Sequence, residues 1–194
     1  MIYTERKKRR KTHASISKVY SLPLELKDTS NCFIFSIEII LLMASSSNCC
    51  QGPGYRSPLS AMREGPREEY LFLSMICCDR TKPDYLATMN VNPQSEQYQQ
   101  IVQRVYAQDL GEEFHHTGWN ACSSCHDDPT KKRRFFIVGT LISSRLYVID
   151  TQDITNQKIH KIVEAEEFKK WDLSVPHTIH CLGKSDMTIS SFNP

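Results

Sequence analysis

Leu86–Asn92 reads LATMNVN, and Leu146–Gln152 reads LYVIDTQ. The second stretch follows the first by about sixty positions and repeats its plan, an apolar run ending in a polar turn. Behind each comes a further short run of β-branched residues, IVQRV from Ile101 and IHKIV from Ile159. Each copy therefore predicts a strand, a polar turn and a second strand. A period somewhat longer than the roughly 40–50 residues of common propeller blades suits a blade carrying a long inserted loop. A third copy is expected to begin at Met187 (MTISS). Two unrelated hairpins would give the same pattern. On either reading the chain is all-β, and on the first it is an incomplete β-propeller.

Upstream of the first copy, Tyr70–Cys77 (YLFLSMIC) is short, apolar and bounded by turn residues, which predicts another strand. Before it, residues 43–69 form a loop-rich lead-in, where GPGYRSPLSAMREGPREEY is dense in Gly, Pro and Ser, with Tyr55, Leu59 and Met62 as apolar anchors. Residues 70–194 are assigned to the propeller blades. Residues 1–42 differ in character. Arg6, Lys7, Lys8, Arg9, Arg10 and Lys11 form a basic run, and Cys32–Met43 (CFIFSIEIILLM) is apolar. That segment contains Glu38 and is well short of the roughly 20 residues that span a bilayer. It also stands too far behind the basic run for a signal peptide. Residues 1–42 are expected to lie outside the fold, with Met43 as a natural start.

The formal net charge of +2 comes from that basic run, and without it the remainder is mildly acidic. A nucleic-acid surface needs cations spread over the folded part, so no nucleic-acid partner is expected. No membrane span is expected either. Lys131–Arg134 reads as a solvated loop, and Lys158–Lys170 as an exposed strand-to-helix connection.

Chemistry concentrates in two places. His115–His126 (HHTGWNACSSCH), read as part of the inserted loop, brings three imidazoles together with Cys122 and Cys125, a set of nitrogen and sulfur donors suited to zinc, copper or iron. Adjacent residues of a strand face opposite ways, so His115 and His116 share one ion only where the backbone turns, which nearby Gly118 would help. The second place is Pro176–Cys181 (PHTIHC), where His177 and His180 are expected to converge in a loop between strands. A purely structural zinc site would use Cys122, Cys125 and two histidines, leaving no open position. Eight cysteines include the adjacent pairs Cys49-Cys50 and Cys77-Cys78, which read as reduced thiols in a cytosolic compartment. The exposed pair Cys49-Cys50 would suit soft acceptors such as cadmium or selenium species. Phosphate-cradling glycine loops, nucleophile elbows and kinase signatures are absent.

Five ordered stretches, CCQGPGYRSPLSAM, KPDYLATMNVNPQSEQY, HHTGWNACSSCH, LISSRLYVIDT and PHTIHCL, resemble those of selenium-binding proteins of the methanethiol oxidase family, in forms similar to plant members. The resemblance covers Cys49 to about Ser191. It implies the first two to three blades of a seven-bladed propeller, ending within a blade. It further implies a cytosolic oxidase converting methanethiol, dioxygen and water to formaldehyde, hydrogen sulfide and hydrogen peroxide, with copper implicated. His115, His116, His177 and His180 match the family's histidine motifs and would be catalytic copper ligands, while Cys49-Cys50 matches a pair associated with selenite and cadmium binding in plant relatives. Gln99 stands where animal members carry a cysteine, so a selenium site of that kind is not expected. A non-catalytic selenium- or heavy-metal-binding role and an inactive partial chain are the alternatives.

Overall fold

The computed structural model describes residues 32–38, 53–183 and 186–191. Met43 and Cys49-Cys50 lie outside them.

The strands follow in the order β1 (Cys32–Glu38), β2 (Tyr70–Cys77), β3 (Tyr85–Asn90), β4 (Ile101–Tyr106), β5 (Phe114–Trp119), β6 (Phe135–Thr140), β7 (Leu146–Asp150), β8 (Lys158–Val163), β9 (Pro176–Gly183) and β10 (Asp186–Ser191). Among the described residues two short helices, α1 (Pro58–Glu64) and α2 (Ala165–Lys169), precede β2 and follow β8. Ser57 caps α1 by accepting a 3.1 Å hydrogen bond from the Ser60 N–H, and Pro58 supplies a preset φ at its start. The lead-in therefore contains a helix.

Strands β1 to β4 form one antiparallel meander, β5 to β8 a second, and β9–β10 a two-stranded sheet. The four-stranded antiparallel meander is the unit of a propeller blade. The repeat seen in the sequence falls on equivalent strands, since LATMNVN is β3 and LYVIDTQ is β7, each third in its sheet, with β4 and β8 behind them.

Three expectations are corrected. The apolar run assigned outside the fold contributes β1, which pairs with β2 from Cys32↔Cys77 to Glu38↔Phe72; β2 offers an edge, and an extended apolar segment satisfies its backbone groups. The stretch from Phe114 to Trp119, read as part of an inserted loop, is strand β5. Its residues are buried on both faces except His116, which erases the alternation that would have announced it. The Met187 strand is β10, second in its sheet after β9, so by chain order it takes the place of β2 and β6 rather than of β3 and β7.

Alternation along β6 and β7 sends side chains to both faces of the second sheet. Phe136, Val138, Tyr147 and Ile149 meet Phe72, Leu86 and Val105 of the first sheet, and Phe72 stacks on Phe136 with ring centroids 5.1 Å apart. Ile137 and Leu146 face the other way, onto Ile179 of β9. The sheets thus pack face to face in series. The second meander ends on β8, whose exposed Lys158 and Lys161 charge an outer strand while Ile159 and Ile162 reach the core.

Buried polar groups brace the first two sheets. Asp84, fully buried, accepts from the Cys77 N–H at 2.8 Å and from the Phe114 N–H at 3.1 Å, and so joins β2 to β5. Glu112, 1% exposed, accepts from the Tyr147 hydroxyl at 2.8 Å and from the Arg145 guanidinium at 2.7 Å, with Ser143 also in contact. Burial and that carboxylate push the Tyr147 phenol well above its ordinary range.

Replacing Asp84 by Ala would orphan two buried N–H groups, each bonded to a charged acceptor. Asp84→Ala is expected to cost about 3 kcal/mol in chemical denaturation, with both meanders loosened together.

Candidate metal centre

The site is built from β5 and β9. Strand β5 pairs Phe114 with Thr140 and Thr117 with Val138, so three steps along β5 match two along β6. That β-bulge falls on His115 and His116. A bulge interrupts the alternation of faces, and this lets neighbouring histidines turn to one side. Glu113, immediately before Phe114, adopts φ 57°, a left-handed turn that starts the strand. The backbone turn required of His115 and His116 is therefore supplied by the bulge and not by Gly118.

Gly118 has a different task. A Cβ there would stand 2.6 Å from the Ile179 carbonyl oxygen, and one on Gly139 of β6 would stand 2.5 Å from the Pro176 carbonyl oxygen. Both residues leave room for the backbone of β9 to lie directly on the second sheet. Seated this way, β9 brings His177 to the bulge. The Nε2 atoms of His115 and His177 are 3.1 Å apart, and His116 sits 4.4 Å from the His115 ring and 4.2 Å from the His177 ring, centroid to centroid.

One ring nitrogen from each of the three histidines lies within 4.8 Å of the others. Three imidazoles converging in this way form the donor set of a transition-metal site. His115 is buried and the other two are half-buried, which leaves an open side. The Nδ1 of His177 hydrogen-bonds the Thr178 hydroxyl at 3.0 Å, which orients its ring and leaves Nε2 directed at His115.

Burial, and then the neighbouring His116 and His177, lower the His115 pKa from the ordinary 6.5 to about 4. Burial first, and His116 second, also lower His177. Neutral imidazole is the form that binds metal, so His115 stays competent well into acid.

The other sequence candidates fall elsewhere. His180 is in the same strand as His177 and not in a loop; it is exposed and does not join the three. Cys122 and Cys125 flank a single 3-10 turn, Ser123–Cys125, and meet Cys181 instead of the histidines. A mixed site of two cysteines and two histidines is therefore not formed. Cys181 is missed by sequence reasoning because a lone cysteine after HxxH carries no spacing signal. Cys49 and Cys50 lie outside the described residues. Cys77, Cys78, Cys122, Cys125 and Cys181 are free thiols, and among the described residues no helix is long and apolar enough to cross a membrane.

Two outcomes are expected. The His115 ring should show no titration in NMR between pH 7 and pH 5. Because its folded pKa is depressed, its contribution to stability is complete above about 6.5 and is lost as pH falls from there through about 4. In Gly139→Ala the added methyl would push Pro176, and with it His177, off the sheet. Affinity for a transition-metal ion titrated into the chain should fall at least tenfold, with far-ultraviolet circular dichroism unchanged.

Comparison with known proteins follows the same residues. Residues 49–194 match the family described as 56kDa selenium binding protein. The chain is 49% identical over 153 residues to a methanethiol oxidase of Danio rerio, covering 77% of this chain and 33% of that protein. It is 45% identical over 150 residues to selenium-binding protein 2 of Arabidopsis thaliana, covering 75% and 31%. A crystal structure of a hypothetical selenium-binding protein from Sulfolobus tokodaii superposes with a TM-score of 0.64 at 41% identity, over 71% of this chain and 31% of that one. The chain thus spans about a third of the length of these relatives. The ordered motifs, the serial antiparallel sheets and these matches together place the chain in the 56 kDa selenium-binding protein family.

Proposed function

We propose that this chain supplies the copper-binding part of a methanethiol oxidase-type enzyme, with His115, His116 and His177 as the ligands. The observation that carries the reading is the meeting of three imidazoles from β5 and β9, one pair of their nitrogens 3.1 Å apart, in a chain whose relatives include proteins named methanethiol oxidase. The donor set fits copper, since imidazole suits that ion and three ligands leave positions for small molecules. Copper held there would supply electron exchange with dioxygen, which protein side chains do not.

In the reaction one methanethiol, one dioxygen and one water give one formaldehyde, one hydrogen sulfide and one hydrogen peroxide. The thiol carbon is oxidised, dioxygen takes up two electrons, and water supplies the formaldehyde oxygen. In this chain the three histidines would hold the ion, Thr178 fixes the His177 ring, and the half-buried side would admit a small thiol. His180, exposed on β9, stands outside the three-histidine group. The compartment proposed is the cytosol, in keeping with reduced thiols.

A second reading has its own support in the relative named selenium-binding protein 2. Cys49 and Cys50 would take up selenite, or a soft cation such as cadmium, without turnover.

The two separate in one comparison. Residues 49–194 are joined to the remainder of the Danio rerio relative, and copper content and methanethiol-dependent sulfide release are measured. His177→Ala is expected to lose copper and lower turnover about 100-fold or more, with selenite uptake retained. Cys49→Ser with Cys50→Ser is expected to lose selenite uptake and keep turnover. Turnover unaffected by His177→Ala would reject the histidine site.

A further inference from the structure

Of the described strands within the family match, β2, β3 and β4 fall in the first sheet and β5 to β8 in the second. The matched residues therefore supply three strands to one meander and four to the next. The remaining strand of the first meander is β1 (Cys32–Glu38), which lies outside the match and pairs with the edge of β2 that β3 leaves open. Its position is that of β5 in the second meander, since each comes first in its sheet, and β1 lies beside β5 as β5 lies beside β9.

We propose that the open edge of β2 is a strand-accepting site which Cys32–Glu38 closes from within, and that its other occupant is an apolar strand from the part of a full-length family member that this chain does not match, independently of the metal site described above.

A ring of four-stranded blades protects its strand edges only when every blade is complete. A sheet to which the family residues bring three strands must receive its fourth from elsewhere in the polypeptide, and this chain covers 33% of the Danio rerio relative. The chemistry of β2 fixes what the edge takes. Leu71, Leu73 and Met75 are buried on one face of β2 and Phe72 on the other. Ladder hydrogen bonds would supply the affinity, and an incoming strand needs apolar residues facing both ways. CFIFSIE meets most of that demand. It is nonetheless an imperfect occupant. The register shifts between Ile34 and Ser36, and an acidic residue, Glu38, stands opposite Phe72, which is 1% exposed. A strand with neither feature would pair better. Cys32–Glu38 is therefore displaceable by such a strand joined to the same chain, and until then it covers an edge that would template association.

The test compares the 194-residue chain with the same chain joined to the remainder of the Danio rerio relative, both read by amide hydrogen exchange and mass spectrometry. In the chain alone, residues 32–38 are expected to exchange slowly. In the joined chain they should exchange at least tenfold faster, with β2 protected in both. Phe33→Pro with Ile34→Pro removes two neighbouring N–H groups, one of which must face β2. That double variant should speed β2 exchange at least tenfold in the chain alone and leave it unchanged in the joined chain. Should the double variant fail to fold, the exchange of residues 32–38 in the two unsubstituted chains decides. Fast exchange of residues 32–38 in the chain alone overturns their place on the edge, and equal protection in both chains overturns the second occupant. A dimer of the double variant in light scattering, with β2 still protected, would assign the edge to a second copy of this chain and also overturns the proposal.

Discussion

The seat of β9 on the second sheet governs what this chain can do. Gly118 and Gly139 stand where a methyl group would meet the carbonyl oxygens of Ile179 and Pro176 at 2.6 Å and 2.5 Å, closer than carbon and oxygen approach without a bond. With hydrogen at those positions, backbone lies against backbone, and the side chains flanking the contact are carried inward. His177 then reaches the β5 bulge, and Cys181, further along the same strand, reaches the turn Ser123–Cys125. One packing contact sets both meetings. Ile179, 3% exposed between them, fixes the strand by burial against Ile137 and Leu146.

Around that contact the electrostatics divide the labour. The histidine group contains no carboxylate: burial and mutual repulsion hold His115 neutral, and the donor nitrogens face one another. Charge is kept for structural tasks elsewhere. Asp84 clasps two N–H groups across the first two sheets, and Glu112 and Arg145 tie the loop before β5 to β7, Arg145 also reaching Glu164 at 2.7 Å and Asp109. Arg134 makes a two-pronged pair with Asp150 at 3.0 Å and 2.6 Å and holds that carboxyl well below the usual range. These pairs brace the sheets that present β5.

The β class, the repeat and the residue types of the site were legible because each has a local signal. Apolar runs bounded by turn residues marked β2, β3 and β7, and the recurrence of LATMNVN as LYVIDTQ fell on the third strand of each meander. Strand β5 was not legible, since burial on both faces removes period-two alternation and a glycine and two histidines lower its apparent strand propensity. Strand β1 was masked by the basic run before it. His177 and His180 looked like a pair because they share a motif. A strand separates them, with His177 turned to the bulge and His180 exposed.

The amino-acid sequence by itself determined the all-β class, the repeating strand unit, the family and the supply of imidazole and thiol donors, because these depend on neighbours within a few residues or on whole motifs. Only the tertiary structure decided which donors meet. His115, His116 and His177 come together and Cys125 meets Cys181, while the CxxC does not join the histidines. Partners some sixty residues apart in the chain are selected by the bulge in β5 and by the height at which β9 lies on the sheet. Both are set by register and van der Waals contact across strands, which no local spacing encodes.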